Sequence, residues 1–337
     1  FFSYKGQMKR VERYTESFTT FMREHPPFPK WDDIHLRTGK KILWMKDHHL
    51  AILLLTTMNN QNQKNKRKGS GYHVSLGLEL TEVLGKMILR KSLSQIGHSM
   101  PLFWWEIQAS LYRDLHSLTL QNGPYDPSTL LAFPSFLLKK TGPEGYLGAI
   151  YRELSPPSKE LLESKEEVKK ELGDRVPAAV SKLSLLLQFK DQKSMEAHLS
   201  QKIGSLAGLA FGLGWMLGGG EVADLFFMEE LGKHFGIFYQ LAIDFKVFEK
   251  HLSRLKTYYS FNYVINFGIQ EAYRLFMVEK QKVLKLCLEK DILTTTLEEL
   301  IKLIQKRVDH ILTDPEDSYL GSQEDESSSI DSSIIDS

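Results

Sequence analysis

Apolar residues recur along this chain in steps of three and four, the spacing that gathers them on one face of an α-helix. In residues 224–252 the stripe runs through Met228, Leu231, Phe235, Phe238, Ala242 and Phe245. It returns in residues 269–288 at Ala272, Phe276, Val283 and Leu286. A last stripe of Leu300, Ile301, Ile304, Val308 and Ile311 follows Thr296 and Glu299, whose spacing predicts a capping box. Residues 50–58 and 76–93 predict two more helices, on either side of a polar, basic loop at 59–70. No segment alternates Val, Ile and Thr long enough to argue for a strand, so the pattern predicts an all-α fold.

Two other stretches break the pattern. Residues 97–173 collect Pro, Gly and aromatics, among them Pro101, Trp104, Trp105, Pro127, Pro134 and Pro143, and end in the charged run 159–174. They read as an irregular insertion, about 95–175, within a helical domain of residues 1–312. Residues 313–337 are Ser-rich and acidic with little to bury, which predicts a disordered tail. Serines there beside acidic residues are either phosphorylation sites or simply solubilising. The most apolar stretch, residues 203–220, only reaches the threshold of a membrane span. Gly204, Gly208 and Gly212 recur in it at helical spacing, which suits close helix–helix packing. It reads as a buried helix, not a transmembrane segment.

Composition narrows the functions. The 337 residues allow a large core, and a net charge of +1 gives no bulk attraction to nucleic acid or an anionic membrane. The basic loop also lacks the aromatic platforms of single-strand binding. Its plain reading is a solvated turn. Cys287, the sole cysteine, rules out an internal disulfide, suits a reducing compartment and reads as a core thiol. Trp104-Trp105-Glu106 reads as packing. His48-His49 are adjacent and so are expected on different helix faces, a poor metal pair. Gly218-Gly219-Gly220 lacks the Lys-Ser/Thr of a phosphate loop. Phe1-Phe2-Ser3-Tyr4-Lys5 is not a signal peptide, and with no Met at its start the chain is compatible with an earlier targeting segment.

Several short motifs, in order, carry a resemblance. Gln201-Lys202-Ile203-Gly204-Ser205-Leu206 is followed about 30 residues on by Gly232-Lys233-His234-Phe235-Gly236-Ile237-Phe238-Tyr239-Gln240 and then Asp244. Asn262-Tyr263-Val264-Ile265-Asn266-Phe267-Gly268 comes next, ahead of Glu271-Ala272. Upstream, residues 53–69 end in Arg67-Lys68-Gly69, and Leu76-Gly77 and Gly85-Lys86 follow. The set resembles the trans-isoprenyl diphosphate synthase (polyprenyl synthetase) family over residues 48–95 and 180–312. That family is an all-α bundle in which two aspartate-rich helices hold Mg²⁺ against a substrate diphosphate.

The resemblance implies a site, and the chain departs from it. Anchoring on Arg67-Lys68-Gly69 puts Met58, Asn59 and Asn62 at the three aspartate positions of the first helix. On the second, Ile243 and Val247 replace aspartates and Asp244 remains. Ile203 stands for a threonine, while Lys86 and Lys190 stand where acids are usual. Mg²⁺ prefers hard, charged oxygen ligands, which amides supply weakly and the Met58 sulfur does not supply at all. The implied site is therefore vestigial: Asp244, Asn59 and Asn62 as remnant metal positions, and Arg67, Lys68, Lys202 and Gln240 as remnant diphosphate contacts. Asp244 reads equally as a partly buried helix aspartate paired to a lysine.

The expectation is a catalytically degenerate subunit with no cofactor, resembling the non-catalytic second-subunit type of decaprenyl/solanesyl diphosphate synthases. That type implies an intracellular, mitochondrial setting in ubiquinone synthesis and a homo- or heterodimer with a prenyl-synthase-fold partner. Two alternatives stay open: an active Mg²⁺-dependent prenyltransferase, and a structural component of a large complex that reuses the fold.

Overall fold

The structure, a computed structural model, describes residues 9–25, 41, 43–44, 47–89, 99–122, 125–154, 191–254 and 261–313. The readings made on Lys190, on the charged run after residue 154 and on the tail from residue 314 lie outside these residues. Among them there is no β-strand, and the chain is a bundle of helices, as the apolar spacing predicts.

In chain order the helices are α1 (Lys9–Glu24), α2 (His49–Asn65), α3 (Tyr72–Leu89), α4 (Ser99–Asn122), α5 (Pro127–Thr141) and α6 (Tyr146–Leu154). There follow α7 (Gln192–Leu199), a π-helical turn at Ser200–Gly204, α8 (Ser205–Leu217) and a 3-10 turn at Val222–Asp224. The last are α9 (Leu225–Arg254), α10 (Tyr263–Phe267), α11 (Ile269–Glu289) and α12 (Thr295–Thr313).

Helix α8 is the axis of the core: every residue from Ser205 to Leu217 is buried. Its glycines set how closely neighbours approach. A Cβ on Gly232 of α9 would fall 2.1 Å from the backbone of Gly208, and one on Gly236 would fall 2.3 Å from Gly204 N. Helices α8 and α9 are therefore in near backbone contact and run antiparallel, Gly204 beside Gly236 and Gly212 beside Leu225. Helix α2 runs parallel to α8, since Gly214 meets Leu54 and Thr57 while Gly218 meets Gln61. No helix among the described residues is long and apolar enough to cross a membrane.

Four local readings change. The basic loop is shorter than predicted, because α2 continues to Asn65 and only residues 66–71, opening on a turn at Lys66 with φ 53°, separate it from α3. Residues 63–65 occupy the solvated end of a helix, which a hydrophobic pattern cannot register. The stretch taken as irregular carries three helices, α4 to α6. Pro127 sits where a helix tolerates proline, at the first helical position behind the Asp126 cap, whose carboxylate accepts from Ser128 N at 2.8 Å. Pro134 lies inside α5, with its neighbours Phe133 and Phe136 buried.

The capping box is displaced. Thr294, not Thr296, accepts from Leu297 N at 3.2 Å, and Glu299 reaches across to accept from Arg10 N and Val11 N at the start of α1. Thr296 is itself buried. Finally, His48 precedes α2 with a left-handed backbone, φ 50°, so the adjacent histidines are not two positions on one helix. Both are buried, and both turn toward α3, as described below.

Candidate functional site

The positions that the resemblance brings together are split between the two ends of the bundle. Because α2 and α9 are both packed on α8 in opposite directions, the C-terminal part of α2 lies beside the start of α9. Asn60 Nδ2 and Lys64 Nζ donate to the carbonyl of Asp291, while the neighbouring Lys290 is paired with Asp224, just ahead of α9. At its other end α2 meets the middle of α9, where His49 stacks on Tyr239 at 3.8 Å between ring centroids. At 1.5 Å of rise per residue, Met58 is about 14 Å along α2 from that contact, and Asp244 about 8 Å along α9 in the opposite direction. Some 20 Å of bundle therefore separates them.

At the α2–α3 turn two of the predicted residues, Asn59 and Arg67, have structural partners. Asn59 Nδ2 donates to the Tyr14 hydroxyl at 2.9 Å, tying α2 to α1. Asn62 is buried. The Arg67 guanidinium lies over the Tyr125 ring at 4.2 Å, and Lys68 is exposed. This is the solvated turn of the plain reading, with one arginine folded back onto an aromatic ring.

The other end gathers Asp244, Gln240 and Lys202 with several residues that the sequence did not single out. Asp244 is 2% exposed. Its Oδ1 accepts from Gln240 Nε2 and its Oδ2 from Tyr263 N, both at 2.8 Å, so each oxygen serves the fold. Asn262 returns a bond from Nδ2 to the Asp244 carbonyl at 2.9 Å, and its own Oδ1 caps α10 at Ile265 N. Burial pushes the Asp244 pKa up to about 7, against the two hydrogen bonds and the Lys202 charge, which favour the anion. Asp244 is thus the clasp between α9 and α10. The alternative reading of a carboxylate directly paired to lysine is not what the geometry shows.

Lys202 has a carboxylate of its own. Its Nζ lies 2.7 and 3.0 Å from the two oxygens of Glu153 at the end of α6, and His198 Nε2 lies 2.8 Å from the same carboxylate. A carboxylate can only accept, so Nε2 carries the proton of that bond. Burial works to raise the Glu153 pKa, and Lys202 and His198 outweigh it, holding it below the usual range. Burial also lowers the His198 pKa despite the carboxylate. The π-turn Ser200–Gly204 presents Lys202 here, a distortion frequent where a side chain must be re-aimed for function.

Beside this trio lies a second polar group, on α2 and α3. Glu82 pairs with Lys86 at 2.8 Å and faces His49 Nε2 at 3.8 Å, while Glu79 accepts from Ala51 N at 2.9 Å and faces His48 at 3.9 Å. Both glutamates are fully buried. The Tyr146 hydroxyl donates to the Glu82 carbonyl at 3.0 Å, joining α6 to α3. Tyr239, buried between these carboxylates and His49, is pushed well above the ordinary phenol pKa by burial first and then by Glu82, Asp47 and Glu79.

Chemically, this end of the bundle is a set of paired charges and not an open carboxylate cluster. Among the described residues no three His, Cys, Asp or Glu side chains are placed to hold one metal ion. Asp244 uses both oxygens internally, and Ile243 and Val247 beside it offer none. These residues do not fit Mg²⁺. One signal for the trio was legible, since His198 and Lys202 stand four apart as helical neighbours do. Nothing in the sequence pointed to Glu153, some 45 residues upstream.

No protein-family model matches the chain, and no curated protein matches it by sequence. Solved structures do match its fold. A geranyltransferase from Legionella pneumophila superposes with a TM-score of 0.57 at 13% identity, covering 90% of this chain and 99% of that one. A putative farnesyl-diphosphate synthase from Marinomonas sp. gives 0.53 at 11% identity over 90% and 99%. A geranyltransferase from Helicobacter pylori, complexed with magnesium and isoprenyl diphosphate, gives 0.52 at 12% identity over 91% and 97%. The all-α isoprenoid-synthase fold is therefore shared along nearly the whole chain.

Proposed function

We propose that this chain is a prenyl-synthase-fold protein that does not catalyse prenyl transfer by itself and acts as a regulatory or structural subunit. The observation that carries this reading is the occupancy of the carboxylates near Lys202. Prenyl transfer through Mg²⁺ needs carboxylate oxygens free to bind metal and cations free to meet a diphosphate. Here Asp244 is committed to Gln240 and Tyr263, Glu153 to Lys202 and His198, and Glu82 to Lys86. Without metal to balance the charge on a departing diphosphate, several kcal/mol of transition-state stabilisation is lost. The sequence resemblance to second subunits of polyprenyl diphosphate synthases supports a heteromer as the setting, with a catalytic synthase as the partner.

The test is incorporation of labelled isopentenyl diphosphate into product with Mg²⁺ and an allylic diphosphate such as geranyl diphosphate. Purified protein alone is expected to give none, and addition of a catalytic synthase subunit to change that subunit's rate or product length. Turnover by the protein alone, abolished by Asp244→Ala, would replace this reading with that of an active enzyme. Co-purification with a large complex lacking any synthase would favour the structural-component reading instead.

A further inference from the structure

Glu153 meets Lys202 in a way that resembles a ligand more than a surface ion pair. Both carboxylate oxygens lie within 3.0 Å of Lys202 Nζ, and one of them also lies 2.8 Å from His198 Nε2. An ammonium and an imidazole N–H converging on a two-oxygen anion form the donor set that suits a phosphate oxygen pair. The lysine side chain keeps 13% of its surface and the glutamate 9%, so the pair is screened from water but not sealed. The π-turn that carries Lys202 packs directly on α6, which carries Glu153. Asp244 stands close enough to sense both charges, so the pair sits at the same end of the bundle as Gln240 and not on a remote face.

We propose that Glu153 is a tethered anion occupying a phosphate site formed by Lys202 Nζ and His198 Nε2, and that it excludes diphosphate from the wild-type protein. The chain thus supplies from α6 the negative charge that a diphosphate would otherwise bring. An intramolecular carboxylate has the advantage of effective concentration, in the millimolar range for short connections, over a free ligand at micromolar level. Neutralising it removes that competitor and leaves the cation and the imidazole facing an uncharged amide. This inference deepens the reading of a non-catalytic subunit, since it says what stands in the diphosphate's place.

The probe is inorganic pyrophosphate without Mg²⁺, with binding read by calorimetry and by thermal shift. Glu153→Gln keeps the shape and one acceptor while removing the charge. It is expected to bind pyrophosphate at least tenfold more tightly than wild type, with the gain lost in Glu153→Gln/Lys202→Met. Orthophosphate and geranyl diphosphate distinguish a general phosphate site from one that also accepts a prenyl chain. Should Glu153→Gln be too unstable to handle, Glu153→Asp draws the carboxylate back by one methylene, and an intermediate gain is expected. If the folded Glu153 variants bind no more tightly than wild type, or if the gain survives loss of Lys202, the proposal is overturned. The function reading is judged separately, because it rests on turnover by the wild-type protein.

Discussion

At the scale of single residues, the two carboxylates nearest Lys202 are buried in opposite ways, and their pH behaviour should differ accordingly. Asp244 is raised from 3.8 to about 7 by burial, so the folded state holds its proton more tightly than the unfolded chain does. Stability from this group is fully present below pH 4 and is lost as pH rises toward 7, by an amount on the order of 4 kcal/mol. Asp244→Asn removes the titration, and a flipped Gln240 amide can meet the new NH₂ while Tyr263 N keeps its acceptor. In urea unfolding between pH 4.5 and 8, the asparagine variant should gain on wild type steadily as pH rises. A gap that stays constant with pH would show that Asp244 is not protonated in the fold. Glu153 is held low by Lys202 and His198, and breaking that pair by Lys202→Met should cost about 3–5 kcal/mol at neutral pH. Cys287 is fully buried, with its thiol pushed up to about 12 by burial, so a thiol reagent should modify it only as the protein unfolds.

At the scale of elements, the α8–α9 crossing makes the sharpest demand. A methyl on Gly232 would strike the Gly208 backbone at 2.1 Å, whereas one on Gly208 finds its nearest neighbour at an ordinary 3.6 Å. Gly232→Ala should therefore destabilise the protein by about 1–3 kcal/mol or more, because backbone must move. Gly208→Ala should be neutral or gain up to about 1 kcal/mol from helix propensity. Thermal melts of the two variants side by side check this, and equal losses would contradict the crossing. The helices themselves were readable from spacing: residues 224–252 and 269–288 foretold α9 and α11 to within two residues. What spacing did not show was α5, where Pro127 and Pro134 looked like breaks: Pro127 takes the first helical position, and Pro134 lies inside the helix on its exposed side, opposite the buried Phe133, Phe136 and Leu137. Nor did it show Glu299 serving another helix's N-terminus, since a capping box is a local pattern and this bond spans the chain.

At the scale of the whole molecule, the ordered motifs pointed to the fold that the solved structures share, yet the site built from them is divided by the bundle. Lys202, Gln240 and Asp244 do come together, because α8 and α9 are antiparallel and adjacent in sequence. Asn59 and Asn62 do not join them, since their assignment hung on one basic anchor, Arg67-Lys68-Gly69, and said nothing of the direction in which α2 runs. The parallel contact of α2 with α8 settles that direction and puts the asparagines at the far end, near Asp291. The geometry can be tested by restoring acids. Asn59→Asp/Asn62→Asp combined with Ile243→Asp/Val247→Asp returns the aspartates of the two motif helices except the one at Met58. Two groups of acids about 20 Å apart cannot share the ions of one diphosphate, because Mg²⁺ ligands lie near 2 Å from the metal. The quadruple variant should therefore show neither Mg²⁺-dependent prenyl transfer nor a diphosphate-dependent stabilisation by Mg²⁺ beyond that of Ile243→Asp/Val247→Asp alone. Activity arising only when both pairs are present would mean that α2 faces the other way, and that the polar end around Glu153 and Lys202 is not the end where a diphosphate belongs.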